Sequence, residues 1–213
     1  MSDNLNRWLS LSSSTISDSL DKFGIAGQCE ELKPQAANYK IVGYAFTLKY
    51  VPKNSNKGNV GNFIDDVPSN SIIVIDNNGI RDMTVWGGIL SRKAKLNNVK
   101  GTVIYGASRD SQESLALSYP IFNLGNYMRT GKDRVVLESI NKPIYLSGIL
   151  VNPGDLIFGD LDGVLVIPKK FEEKIFKAAK TINDIENKII LEIESRSRLD
   201  EARSRHGYFD LQK

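Results

Sequence analysis

Arg109 and Asp110 stand side by side at the end of the apolar run Val99-Lys-Gly-Thr-Val-Ile-Tyr-Gly-Ala-Ser. A guanidinium fork grips carboxylate or enolate oxygens, and a carboxylate beside it holds a hard cation. Together they are the minimum equipment for metal-assisted chemistry on an oxo acid. A surface ion pair at a turn is the plainer reading of the same residues. A second feature weighs toward chemistry: Trp86-Gly87-Gly88 leads into Ile89-Leu90 and a helical pattern, and the first amides of a helix bind small anions. Gly79, Gly87, Gly88 and Gly106 let backbone approach such an anion closely, or simply serve turns.

Other residues with chemical capacity are weaker candidates. Asp160 and Asp162 flank Leu161 in Gly-Asp-Leu-Asp-Gly, which suits a turn better than a metal. Lys49, Lys93 and Lys95 have the type for a Schiff base, but none sits in an obviously apolar pocket sequence, which favours surface placement. The chain has one histidine, His206, so a Ser-His or Cys-His nucleophile pair would have to use that residue. Its one cysteine, Cys29, excludes an intrachain disulfide and argues against a cysteine zinc site. No G-x-G-x-x-G or P-loop follows any expected strand, which argues against a nucleotide site.

The elements that must position Arg109 and Asp110 are legible from periodicity. Ser14 or Thr15 is expected to cap a helix with Ile16, Leu20 and Phe23 on one face, ended by Gly24. Residues 41–51 alternate with period two, placing Val42, Tyr44, Phe46, Leu48 and Tyr50 on one side of a strand that Pro52 ends. Lys53 to Pro68, rich in Asn, Gly and Ser, reads as a long loop of the kind that closes over sites. The run 71–76 is continuously apolar up to Asp76, as in a strand buried on both faces. A helix then carries Ile89, Leu90, Ala94 and Leu96 on its apolar face, closed by Asn97 and Asn98, followed by a strand at 102–105, a helix at 111–117 and a strand at 120–123. This alternation predicts parallel pairing with right-handed crossovers, and ligands collect beyond the carboxyl ends of such strands.

Residues 143–168 read as short strands joined by turns. From Lys169 a long helix repeats Phe171, Ile175, Ala178, Ile182, Ile185 and Ile189, with a break near Ser195. The 213 residues are expected to form a single domain, 1–213, with 169–205 as a helical extension. The net charge of +3 comes from 28 basic and 25 acidic residues spread along the chain, so no nucleic-acid footprint forms. The basic tail, Arg196 to Arg205, is interleaved with acids and reads as an ion-paired helix face. No run approaches membrane-spanning length and no targeting segment is visible, so a cytoplasmic protein without membrane partners is expected.

Taken as a set, Asp76-Asn-Asn-Gly79, Trp86-Gly-Gly-Ile-Leu90, Gly101-Thr-Val-Ile-Tyr-Gly-Ala-Ser-Arg-Asp110, Pro120-Ile-Phe, Asn152-Pro-Gly-Asp155 and Asp162-Gly-Val-Leu-Val-Ile-Pro168 resemble the RraA-like family. That family includes the 4-hydroxy-4-methyl-2-oxoglutarate aldolases and the regulator of ribonuclease E activity A. The resemblance implies an α/β fold of the β/β/α swivelling type, assembled as a homotrimer or hexamer. It also implies a divalent cofactor, Mg2+ or Mn2+, that polarises an oxo acid during retro-aldol cleavage to pyruvate or decarboxylation of oxaloacetate. Asp110 would match the metal ligand, and Arg109 the residue holding the oxo acid and its developing oxyanion. Gly87, Gly88 and the amides of Ile89 and Leu90 would match the substrate cradle. Glu186 would match an acid reaching a neighbouring subunit's metal through water. The same resemblance admits a non-catalytic regulator of an RNA-processing enzyme, a branch that commonly lacks the acid after the arginine. Two positions depart from the aldolase pattern: Gly88 stands where Asp or Glu is usual, and the segment 57–62 lacks a histidine.

Overall fold

The computed structural model describes residues 5–53 and 61–211. Its first long element is helix α1 (Ser13–Lys22), followed by the short strands β1 (Gln28–Cys29) and β2 (Lys33–Pro34) and the long strand β3 (Ile41–Pro52). Next come β4 (Ser71–Asp76), α2 (Gly88–Leu96), β5 (Gly101–Tyr105), α3 (Ser111–Ala116) and β6 (Ile121–Asn123). Then follow β7 (Val135–Ile140), β8 (Ile144–Leu146), β9 (Ile149–Val151), β10 (Leu156–Asp160) and β11 (Gly163–Ile167). Helices α4 (Glu172–Glu194) and α5 (Leu199–Arg205) close the chain.

Strands β3, β4, β5 and β6 pair in parallel in that order, as the alternation of strands and helices requires. Antiparallel strands extend both flanks, giving the order β1-β11-β10-β3-β4-β5-β6-β2, with β7 also paired to β3. β8 and β9 form a separate hairpin. Strand β4 shows why a continuous apolar run was needed. Ile73 and Ile75 pack into one cluster with Trp86, Ala94 and Tyr119, while Ile72 and Val74 pack into another with Val103, Phe122 and Leu146. Both faces of the parallel centre are covered, so every β4 side chain is buried.

The same two-sidedness modifies the expectation for β3. Val42, Phe46, Leu48 and Tyr50 do share a buried face, but Ile41, Ala45 and Thr47 on the other face are buried too. A third cluster joins α1 and α4 to β10 and β11 through Ile16, Leu20, Phe158, Leu165, Ile167 and Ile175. Burying each large apolar side chain of this kind contributes roughly 1.5–3 kcal/mol before chain entropy is subtracted.

Several local expectations are corrected. The cap of α1 is Ser12, whose side chain accepts from the Thr15 amide, rather than Ser14 or Thr15. The buried stripe of α4 runs through Ile175, Ala179, Ile182 and Ile189, not Ala178, and the helix ends at Ser195 as expected. On α2, Ala94 is buried, but Ile89 is 86% and Leu96 73% exposed, so half of the apolar pattern faces outward. Asp160 and Asp162 form the turn between β10 and β11: Asp160 accepts from the Asp162 amide, and from the Ser13 amide at 2.8 Å and hydroxyl at 2.6 Å, anchoring the start of α1. No described helix is long and apolar enough to cross a membrane.

Candidate active site

Two connections lie side by side beyond the carboxyl ends of β4 and β5. Ala107 donates its amide to the Ile80 carbonyl at 3.1 Å, and Arg109 donates to the Trp86 carbonyl at 3.0 Å. Trp86, 2% exposed, stacks on Tyr119 and donates its indole N–H to Ser91 Oγ at 2.9 Å, which ties the connection to the first turn of α2. The Ser108 loop is held from the opposite side. Gln35 Nε2 donates to Ser108 Oγ at 2.9 Å and Asn126 Oδ1 at 2.7 Å, Asn123 Nδ2 donates to Ser108 Oγ at 2.8 Å, and Ser114 Oγ donates to Gln35 Oε1 at 2.9 Å. A polar network whose members satisfy one another fixes a loop more sharply than apolar packing does.

Arg109 and Asp110 therefore project from a braced loop into a cleft of 540 Å³, within the size range of small-molecule sites. Asp110 adopts the left-handed conformation, φ 55° and ψ 38°, at the start of α3, a strained position that Asp tolerates better than most residues. Its carboxylate does not cap its own helix. Instead Oδ2 accepts the Gly88 amide at 3.0 Å and lies 3.7 Å from Arg109 Nε. Both side chains remain about two-fifths exposed to solvent.

Gly87, Gly88, Ile89 and Leu90 all line this cleft with Arg109 and Asp110. Helix α2 begins at Gly88, and Ser91 is the first residue to donate back, to the Gly87 carbonyl. Helical geometry thus leaves the Ile89 and Leu90 amides without an intrahelical acceptor. The glycine pair has a reason beyond anion approach. A Cβ built on Gly87 would lie 2.7 Å from Asp110 Oδ2, and one on Gly88 would lie 1.9 Å from Glu113 Oε2. The protein's own carboxylates fill the room that the glycines leave.

Glu186 does not line the cleft. Within one chain it sits on α4 against Thr15, whose hydroxyl donates at 3.4 Å, and burial together with Asp18 raises its pKa above the usual carboxylate value. His206 pairs with Glu192 at 2.7 Å, and Arg205 with the same Glu192, so the basic tail is the ion-paired face expected. Lys49 pairs with Glu138 and Lys93 with Asp65, and burial pushes the Cys29 thiol up to about 12, which leaves it inert at neutral pH. The described end of the loop before β4 supplies Gly61, Asn62, Ile64 and Asp65 to the cleft. Most of the segment expected to lack its histidine, 57–62, lies outside the described residues. Gln35, Asp65 and Glu113 are the site-region residues that local sequence reasoning missed; only the spacing of Glu113 three residues after Asp110 signals anything.

Asp76, at the carboxyl end of β4, serves the fold. It is 6% exposed, and its Oδ1 accepts the Asn78 amide at 2.8 Å in the turn after β4. Burial raises its pKa, so the folded protein keeps the Asp76 proton to higher pH than the unfolded chain does. Its contribution to stability is therefore full below the ordinary carboxylate value and is lost as pH rises through the raised one. Asp76→Asn is expected to remove that loss. Denaturant unfolding at pH 4 and pH 7 should show the variant gaining on the wild type at the higher pH, and an equal gap at both would contradict it.

The mixed α/β domain thus places an arginine and an aspartate beyond its parallel strands, in one cleft with the start of a helix. The chain belongs to the RraA-like family: the Aldolase/RraA model matches residues 13–166. It is 41% identical over 208 residues to protein DlpA of Legionella pneumophila, a match covering 96% of this chain but only 34% of DlpA, so the chain spans about a third of that relative's length. It is 35% identical over 178 residues to a Halalkalibacterium halodurans protein named "Putative 4-hydroxy-4-methyl-2-oxoglutarate aldolase", covering 84% of this chain and 82% of that one. A crystal structure of an uncharacterised protein from Pseudomonas syringae pv. tomato superposes with a TM-score of 0.89 at 36% identity, over 95% of this chain and 98% of that one.

Proposed function

We propose that this cleft binds a 2-oxo acid together with Mg2+ or Mn2+ and acts as a lyase. Its substrate would be a 4-hydroxy-2-oxo acid cleaved to pyruvate, or oxaloacetate losing its terminal carboxylate. The observation that carries the reading is the packing of Arg109 and Asp110 against the open start of α2, which brings a guanidinium, a carboxylate and helix amides into one cleft. The name carried by the H. halodurans relative agrees with it.

The donor set fits a hard cation. Among the described residues of one chain no group of three or more His, Cys, Asp and Glu is placed to hold a metal, so the carboxylate of Asp110 is the donor this chain offers the cleft beside Arg109. A half-exposed aspartate oxygen suits an ion that keeps most of its waters, as Mg2+ does when bound through one or two carboxylates. Asp110 would hold it, and the ion would supply positive charge to the 2-oxo oxygen as the carbon-carbon bond breaks.

The chain's own groups do the rest. The amides of Ile89 and Leu90 hold the substrate carboxylate, with the N-terminal end of α2 favouring its charge. Arg109 orients the 2-oxo oxygen and takes up the negative charge that develops there when the C3–C4 bonding pair moves toward C2. Arg109→Ala is accordingly expected to lower kcat/KM by about 2.7–4 kcal/mol of transition-state stabilisation, the range for losing one oxyanion donor. Steady-state kinetics reads this directly, and an unchanged kcat/KM would remove Arg109 from the site.

Assembly into a homo-oligomer, a trimer or hexamer, belongs to the same proposal. The outward-facing Ile89, Leu96 and Met128, each more than 70% exposed, fit contact with another subunit. Glu186, which is not among the residues lining its own chain's cleft, would contribute to a neighbour's site. Purified protein supplied with Mg2+ or Mn2+ should release pyruvate from one of a panel of 4-hydroxy-2-oxo acids or from oxaloacetate, and chelator should stop it. No release from any of them with either metal overturns the assignment.

A further inference from the structure

Resting on that reading of the cleft, we infer that Glu113 is the second carboxylate of the cation site, a positioning residue that acts on the ion's water shell from across Gly88. The argument begins with a helix that forgoes its own capping. Asp110 occupies the cap position of α3 and Glu113 the position three residues on, the pair that commonly satisfies a helix's first amides. Here Asp110 makes no side-chain cap. Its Oδ2 turns to the Gly88 amide, and Glu113 turns the same way: Oε1 meets Arg92 Nη2 at 3.0 Å and Oε2 lies against Gly88. A missing N-cap costs about 0.5–2 kcal/mol, and the left-handed backbone at Asp110 adds to it. Local rules broken together in one place mark function more often than accident.

Gly88 supplies an independent observation. It is the first residue of α2 and its φ is not in the left-handed region, so nothing in the backbone demands glycine there. What stands in that space is Glu113, the end of whose flexible side chain lies where a Cβ would be, 1.9 Å from Oε2 and 2.5 Å from Cδ, so a side chain at position 88 would displace this carboxylate. The two carboxylates thus bracket a single residue. With Asp110 Oδ2 3.0 Å from the Gly88 nitrogen, the two oxygens are at most about 7.4 Å apart, close to the roughly 7 Å that a cation and one of its waters reach across. Glu113 does not line the cleft itself, but its side chain is 41% exposed, so water reaches it. It is placed to accept hydrogen bonds from the cation's waters rather than to touch the substrate.

The Arg92 pair is the purely structural explanation of Glu113, and the test separates the two. Mn2+ binding is measured by calorimetry on the wild type, Glu113→Gln, Arg92→Gln, Asp110→Asn and the double variant Gly88→Asp/Glu113→Ala, with thermal unfolding of each. Glu113→Gln is expected to weaken Mn2+ roughly ten- to a hundredfold, the usual effect of losing an outer carboxylate. Arg92→Gln should leave affinity near that of the wild type, and the double variant, which returns a carboxylate to the same space from the other helix, should recover most of what Glu113→Gln loses. Equal Mn2+ affinity in wild type and Glu113→Gln, with Asp110→Asn binding none, overturns the role of Glu113 and leaves the metal site standing. An equal loss in Arg92→Gln also overturns it, in favour of the structural pair. A wild type that binds no Mn2+ overturns both this inference and the function on which it rests.

Discussion

Asp110→Asn is expected to abolish pyruvate release and to weaken Mn2+ binding by more than about a hundredfold, beyond the range for groups outside the direct ligands. The substitution is chosen because it changes charge and little else. Asn keeps an oxygen to accept the Gly88 amide, now 3.0 Å from Oδ2, and tolerates the left-handed backbone at φ 55° as Asp does. Thermal stability should therefore stay close to that of the wild type while the cleft loses its negative charge beside Arg109. Calorimetric titration with Mn2+ and a coupled pyruvate assay read the two effects separately. Undiminished metal binding in Asp110→Asn would show that the cation is held elsewhere.

The largest effect on stability is expected at Trp86. Its ring is 2% exposed, stacked on Tyr119 with centroids 6.2 Å apart, and belongs to the core cluster with Ile73, Ile75 and Ala94. Trp86→Ala should cost about 3–5 kcal/mol, from lost transfer energy and a residual cavity. That is a large fraction of the roughly 5–15 kcal/mol by which domains are stable. Trp86→Phe keeps most of the volume and loses chiefly the indole N–H bond to Ser91 Oγ, so about 0.5–1.5 kcal/mol is expected. Urea unfolding distinguishes them; nearly equal midpoints would mean that Tyr119 and its neighbours close the gap. Because the Trp86 carbonyl also accepts the Arg109 amide, the Ala variant should lose catalytic efficiency even in its folded fraction.

Much of the central architecture was legible because its causes are local. The continuous apolar run of β4 reports burial on both faces, the alternating strands and helices report parallel pairing, and the break at Ser195 reports the end of α4. Strand β7 was not legible: Val135–Ile140 shows no clean alternation, and it forms because β3 offers it an edge and not because its own pattern insists. The two-residue strands β1 and β2 are likewise defined by their partners, β11 and β6. The apolar residues of α2 misled for the opposite reason. Ile89 and Leu96 have the helical spacing of a core face, yet they point outward, where a single chain has nothing to cover them.

For the site, the sequence by itself determined the chemistry available: one arginine and one aspartate after a buried strand, a glycine pair before a helix, and only a single histidine and a single cysteine, both far from them in sequence. Composition and local periodicity carry that information because residue type and strand ends are properties of short segments. Only the tertiary structure decided what the glycines are for and which carboxylates meet. Gly87 makes room for Asp110, Gly88 makes room for Glu113, and Gln35 braces the Ser108 loop from more than seventy residues away in sequence. Such contacts arise from the packing of α2 against α3 and of β2 beside β6, and no stretch of chain encodes them alone, because they depend on where two distant segments are brought together.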